Sequence, residues 1–289
     1  MADAAAKMSQ KRGAPVGGSC PAPKRAASTA AAAAAAAAPP PQRSCQNDGK
    51  PRVCLGATGS VAAVKLPELV ELLLDSGAYV DLVMTRSAAF FQGVTYRGEA
   101  PRAYLARLEA KVDAEGTPRL CVWRDEDEWS GYADVGASSV LHIDLAKRNQ
   151  LLLIAPLCAN TLAALALGLC GGLLTSVSRA WYYDMEAEFA APLIEKYGRY
   201  AVNRPILVAP AMNTYMWYQK ITGQHIRTLE QRGIGVVDPV TKTLACGETG
   251  KGAMATTEDI ARQALRKLAA YRKEEQVAVE VEKRPPFCP

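Results

Sequence analysis

Val53-Cys54-Leu55-Gly56-Ala57-Thr58-Gly59-Ser60-Val61-Ala62-Ala63 decides the architecture of this chain. The first five residues read as a short buried strand and Thr58-Gly59-Ser60 as a turn. Residues 61–76 then repeat apolar side chains at helical spacing, with Val64, Leu66, Leu69, Val70, Leu72 and Leu73 on one face. Outward from this unit, residues 79–84, 151–155, 205–209 and 234–237 read as further strands, and residues 161–169, 173–181, 221–231 and 257–273 as helices. Strands alternating with helices imply right-handed crossovers and an α/β class, with a parallel sheet between two helical layers.

The turn itself offers backbone N–H groups and two hydroxyls at a helix start, an arrangement suited to a phosphate monoester. It lacks the third glycine of a dinucleotide fingerprint, and no Gly-Lys-Ser/Thr follows to make a P-loop. Gly247-Glu248-Thr249-Gly250-Lys251 fails the same test, because Gly252 stands where Ser or Thr is needed.

At 289 residues and 49% hydrophobic content, the chain can hold one large domain or two small ones. Much of its net charge of +5 falls in the first fifty residues, which argues against a nucleic-acid surface on the folded part. Eight cysteines without a CxxC pair, and only two histidines, disfavour a disulfide framework and a zinc site. A reducing, cytoplasmic setting fits. The apolar stretch 151–174 is interrupted by Pro156, Asn160 and Thr161, so it resolves as strand, loop and helix and no membrane span is expected.

Residues 1–50 carry an alanine run from Ala30 to Ala38 followed by three prolines, too little large apolar side chain to offset ordering entropy, and are expected to be a disordered tail. Their basic residues also fit an organelle presequence or nuclear import signal. The folded domain is expected over 51–273, with surface insertions near 93–118 and 182–203, and 274–289 as a charged, frayed tail.

Three more turns follow strands on the same edge as the first: Thr85-Arg86-Ser87, Pro156-Leu157-Cys158-Ala159-Asn160-Thr161, and Pro210-Ala211-Met212-Asn213-Thr214-Tyr215-Met216-Trp217. Open α/β sheets bind ligands at the carboxyl ends of their strands. Converging polar turns there describe a pocket for a phosphate-bearing cofactor. Asn213 can both donate to and accept from a substrate amide or carboxylate, with Met216 and Trp217 as apolar walls. Taken singly, each residue has an ordinary structural explanation. A lone His142 after Val140-Leu141 reads as a packed histidine, Cys246 as an inert small hydrophobe, and the acidic run 125–128 as a solvated loop.

Together these pieces resemble the flavin-dependent cysteine decarboxylases, specifically the phosphopantothenoylcysteine decarboxylases of plants and animals. The likeness rests on Gly59-Ser60-Val61-Ala62-Ala63, Asp125-Glu126-Asp127-Glu128-Trp129, Leu141-His142-Ile143-Asp144-Leu145, Ala155 through Thr161, Gly168-Leu169-Cys170, Pro210 through Trp217, and Leu244-Ala245-Cys246-Gly247 with Gly250, Gly252, Ala253 and Met254. It spans roughly residues 52–256 in family order.

The resemblance implies a flavodoxin-like (Rossmann-type) fold, bound FMN and a homotrimer with its active site near a subunit boundary. It places Gly59, Ser60, Val61, Thr85, Arg86, Ser87, Cys158, Ala159, Asn160, Thr161 and Ala211 on flavin-contacting positions. His142 falls on the catalytic base and Cys246 on the proton donor of a mobile flap. Asn213, Met216, Thr243, Ala245 and Met254 fall on substrate contacts, and no metal is implied.

The reaction implied is decarboxylation of 4′-phospho-N-pantothenoylcysteine to 4′-phosphopantetheine in coenzyme A synthesis. The cysteinyl side chain passes through a thioaldehyde and an enethiolate without external nicotinamide. A base near the thiol and an acid for the final protonation are the protein's share, which His142 and Cys246 have the chemistry to supply. Two departures stand out: Cys158 where Ser is usual, and Thr243 where relatives often carry a basic residue. A rival reading is a regulatory subunit that inhibits a protein phosphatase, since fungal relatives of this fold do so; the joint presence of His142, Asn213 and Cys246 favours the enzyme.

Overall fold

The computed structural model describes residues 49–135, 138–243 and 249–282. The sheet is built around β1 (Arg52–Ala57), followed by a 3-10 turn over Val61–Lys65, α1 (Leu66–Asp75), β2 (Tyr79–Met84), α2 (Arg86–Phe91), α3 (Pro101–Glu109) and β3 (Leu120–Arg124). The chain continues through α4 (Leu141–Arg148), β4 (Leu151–Leu157), α5 (Ala159–Leu167), α6 (Leu173–Arg179) and α7 (Ala187–Tyr197). It closes with β5 (Ile206–Pro210), α8 (Thr214–Tyr218), α9 (Lys220–Gln231), β6 (Gly235–Val236), the hairpin β7 (Val240–Thr243) and β8 (Thr249–Ala253), and α10 (Thr257–Glu282).

Six parallel strands lie in the order β3-β2-β1-β4-β5-β6. Strand periodicity sorts their side chains between two cores. Val53, Leu55, Leu82, Leu153 and Leu207 join α1, α3 and α10 on one face, while Cys54, Val83, Leu152, Ile154 and Val208 join α4, α5, α6 and α9 on the other. Gly56 shows why the central strand tolerates a glycine. A Cβ there would stand 2.5 Å from Leu174 Cδ1, so α6 lies directly on the backbone of β1. This is the expected three-layer flavodoxin-like arrangement.

One polar network crosses the second core. Asp81, in β2 and buried, accepts hydrogen bonds from Trp123 Nε1 at 2.9 Å, Arg148 Nε at 2.8 Å, Arg148 Nη2 at 2.5 Å and Asn149 Nδ2 at 2.9 Å. It ties the last turn of α4 to β2 and to the edge strand β3.

Several elements depart from expectation. β3 and the β7–β8 hairpin are additional strands; β3 is an edge strand with two strongly buried side chains, Leu120 and Trp123, too few to mark it by periodicity. The stretch 93–118 is more than surface, because α3 buries Leu105 and Leu108 against the layer of α1. In 182–203, α7 buries only Ala190. The last helix runs on to Glu282 rather than stopping near 273; its Glu274-Glu275-Gln276 start reads as a charged tail, yet Glu and Gln are good helix formers. The tail 1–48, residues 136–137 and 283–289, and the flap tip 244–248 with Ala245 and Cys246, lie outside the described residues.

Candidate active site

The strand order reverses between β1 and β4, so the connections leaving their carboxyl ends part in opposite directions and open a crevice. Thr58 joins its two walls. Fully buried, its Oγ1 donates to Pro156 O at 2.8 Å and accepts from Cys158 N at 2.7 Å, stitching the turn after β1 to the start of α5. Around it, Ser60 Oγ accepts from Ala62 N and Thr85 Oγ1 from Ala88 N, so each hydroxyl opens a helical turn. Gly59 permits the turns after β1 and β2 to meet, since a Cβ there would lie 2.6 Å from Ser87 Cβ. Gly59, Ser60, Thr85, Ser87, Cys158 and Thr161 thus gather on one edge of the sheet, with Val61, Arg86 and Asn160 exposed beside them.

Burial by itself would raise the Cys158 thiol. Hydrogen bonding with Thr161 and Thr58 and to the backbone N–H groups that begin α5 outweighs it and holds the thiol below its ordinary value.

The next wall comes from the turn after β5. Ala211 N donates to Leu157 O at 2.9 Å, bringing this turn alongside that of β4. Asn213 Oδ1 accepts from Tyr215 N at 2.8 Å and caps α8, which fixes its side chain at the crevice rim. Met216 and Tyr215 are exposed on the same short helix. The β7–β8 hairpin is rooted here: Met212 N donates to Gly252 O at 2.9 Å. A Cβ on Gly252, whose φ is +141°, would stand 2.5 Å from Met212 O, and one on Gly250 would strike the Thr214 side chain. Thr243 ends β7, and Met254, just past β8, is buried in the core.

His142 occupies the first turn of α4. That helix leads back to the start of β4, so its N-terminus lies on the carboxyl edge of the sheet with the turns above. Its Nδ1 is 2.6 Å from Glu128 Oε1. The acidic run is therefore more than a solvated loop, although Asp125 and Glu126 are exposed. Asp125 Oδ1 accepts from Leu173 N at 2.8 Å at the start of α6, Asp127 Oδ2 accepts from Arg124 N at 2.7 Å, and Glu128 faces the imidazole. Neither Thr58 nor Glu128 stands out in the sequence as a site residue. Glu128 lies fourteen positions before His142, a separation that no helical or strand period links. Among the described residues no group of acidic, His or Cys side chains could hold a metal ion, and no helix is long and apolar enough to cross a membrane.

The family model described as Flavoprotein matches residues 41–269. A phosphopantothenoylcysteine decarboxylase of Oryza sativa subsp. japonica is 39% identical over 207 residues, covering 71% of this chain and 76% of that one. The protein of the same name from Mus musculus is 38% identical over 212 residues, covering 73% and 84%. Among solved structures, a cysteine-to-serine mutant of PPC decarboxylase complexed with pantothenoylaminoethenethiol is 36% identical, with a TM-score of 0.57 and coverage of 76% of this chain and 99% of that one. The FMN binding protein AtHal3 is likewise 36% identical, with a TM-score of 0.56 and coverage of 76% and 98%. A crevice of phosphate-suited turns, a carboxylate-held imidazole on its edge and these likenesses agree, and the chain belongs to the flavoprotein family, among the phosphopantothenoylcysteine decarboxylases.

Proposed function

We propose that this protein removes the carboxyl group of 4′-phospho-N-pantothenoylcysteine to give 4′-phosphopantetheine, the FMN-dependent decarboxylation of coenzyme A synthesis. The observation that carries the reading is hydrogen-bonded continuity. Thr58–Cys158, Ala211–Leu157 and Met212–Gly252 bonds tie the cofactor turns, the Asn213 turn and the base of the Cys246 hairpin into one edge.

The crevice fits the flavin phosphate and ring: helix-opening turns bear N–H groups and hydroxyls on one side, and small, apolar Ala211 lies on the other. Gly59, Ser60, Val61, Thr85, Arg86, Ser87, Cys158, Ala159, Asn160, Thr161 and Ala211 would hold it. FMN, when bound, supplies a two-electron acceptor and donor. The chain's own residues do the rest. His142 takes the proton of the substrate thiol at Nε2. Asn213 reads the carboxylate and the neighbouring amide, and Met216 contributes an apolar wall. Cys246, carried between β7 and β8 with Thr243 and Ala245 beside it, returns a proton to the product, and Met254 backs the hairpin.

The same reading takes the enzyme to be a cytoplasmic homotrimer. Exposed apolar side chains at Val61, Phe90, Trp129 and Tyr215 support association at the site's rim. Sedimentation of the purified protein tests the trimer, and a pull-down with an inhibition assay tests a phosphatase partner. For the activity, purified protein is expected to be yellow and to release carbon dioxide from the phosphopantothenoyl substrate. His142→Asn is expected to keep the colour and lose turnover by at least a hundredfold. Colourless, folded protein that takes up no FMN would overturn the reading.

A further inference from the structure

Of the acidic residues after β3, Glu128 alone faces the imidazole. Its side chain is 9% exposed, Oε1 lies 2.6 Å from His142 Nδ1, and Oε2 is buried with no hydrogen-bond partner among the described residues. Asp125 and Asp127 are engaged with backbone N–H groups instead. The His142 ring keeps 24% of its side-chain surface, so one edge is sealed by the carboxylate while the ring retains access to the crevice edge.

We propose that Glu128 is the positioning residue for the base: it holds His142 with hydrogen on Nδ1, leaving the Nε2 lone pair bare for the substrate thiol. This deepens the decarboxylase reading and rests on it. A neutral imidazole has one N–H and one bare nitrogen, and its partners decide which is which. An ionised carboxylate can only accept, so the nitrogen facing Glu128 must be the donor. The Nε2 atom is then the acceptor, the form a base requires.

Proton accounting follows directly. The thiol hydrogen moves to Nε2 while sulfur keeps the S–H electron pair. The ring becomes a cation whose other N–H already points at a carboxylate, so the pair Glu128–His142 goes from one negative charge to none. The single negative charge moves to the substrate sulfur, and the imidazolium beside Glu128 is not left as an unpaired cation in a half-buried site. The same logic, a buried carboxylate that orients an imidazole without taking its proton, operates in serine hydrolases.

The chain contains only two histidines, His142 and His225, which makes the tautomer directly readable. Protein carrying FMN and labelled with nitrogen-15 histidine gives two ring patterns in a long-range proton–nitrogen correlation spectrum, and His225→Gln assigns them. At alkaline pH, His142 is expected to read as hydrogen on Nδ1. In Glu128→Ala the pattern is expected to become a mixture or to reverse. Its kcat should fall about a hundredfold, the scale of a mis-set reacting group, with KM changed less than threefold and the flavin spectrum intact.

Glu128→Gln, whose amide oxygen can still accept from Nδ1, should recover part of both signals. A wild-type His142 with hydrogen on Nε2, or a Glu128→Ala variant that keeps the wild-type ring pattern or more than a third of kcat, would overturn the proposal. Should Glu128→Ala fail to fold, the wild-type tautomer and the Gln variant still decide. Wild-type protein without turnover would instead count against the decarboxylase reading, and the ring pattern would still test Glu128.

Discussion

Replacing Asp81 by Leu is expected to destabilise the protein by about 4 kcal/mol, the middle of the range for removing one partner from a buried ion pair. The Arg148 side chain is 6% exposed, so solvent screens little of the loss. Arg148 would keep an uncompensated charge, and the indole N–H of Trp123 would lose its acceptor; Asn149 would still have Leu145 O. Adding Arg148→Met removes the stranded charge and leaves mainly the Trp123 N–H, at about 1–2 kcal/mol. The second substitution should therefore restore roughly 2–3 kcal/mol.

With a urea dependence of about 3 kcal/mol per molar for a domain of this size, the single variant's midpoint drops by about 1.3 M, and the double variant recovers about half to three-quarters of that. Acid supplies a second reading. Burial alone would raise the Asp81 carboxyl, yet the Arg148 guanidinium, with the Trp123 and Asn149 donors, holds it below its ordinary 3.8. A carboxyl lowered by folding stabilises fully above the unfolded value and loses that contribution as pH falls through the folded value. The gap between wild type and Asp81→Leu should thus be constant from pH 8 to about 5 and shrink only in stronger acid. Because Arg148 ends the helix whose first turn carries His142, kcat should fall with stability in the single variant and recover in the double. A single-variant loss below about 1 kcal/mol, or a double variant worse than the single, would refute the reasoning.

Thr58→Val keeps shape but removes the hydroxyl joining β1 to α5; Cys158 N loses its acceptor, while Pro156 O keeps the Thr58 N–H at 3.1 Å. One buried unsatisfied N–H corresponds to about 1–3 kcal/mol, and FMN affinity by fluorescence titration should weaken about tenfold or more; unchanged affinity would dissociate Thr58 from the cofactor crevice. Gly252→Ala places a methyl 2.5 Å from Met212 O at a φ of +141° that side chains avoid. Its kcat/KM should drop at least tenfold with the flavin spectrum unchanged, and wild-type kinetics would mean that the hairpin base does not set the site.

Much of the fold was legible because each central strand carries its own marker. Val53–Ala57 and the stretch from Leu151 are continuous apolar runs, as strands buried on both faces must be. The hairpin strands escaped for the opposite reason: Val240–Thr243 and Thr249–Ala253 are polar, and their pairing depends on each other and on α8 rather than on burial; the edge strand β3 buries only Leu120 and Trp123 deeply. At the site, the Asn213 and Gly-Ser turns could be read because turn chemistry is local. Glu128 could not, since its bond to His142 is made across a loop whose path no period encodes. The residues after Lys273 belong to the helix because Glu274, Glu275 and Gln276 are good helix formers that extend it, while their charge gives no apolar stripe to announce it.

The short acidic segment after β3 serves several neighbours at once: one carboxylate at the head of α6, one folded back on the strand's own end, one against the imidazole. Such a stretch cannot change length. Inserting or deleting a single residue between Arg124 and Glu128 would shift Glu128, and with it any carboxylate beyond the change, out of register, damaging chemistry and, nearer Arg124, packing as well. Among the described residues between Trp129 and Val140 no side chain bridges separate elements in this way, so variation in loop length across related sequences should collect there and spare the four residues before it.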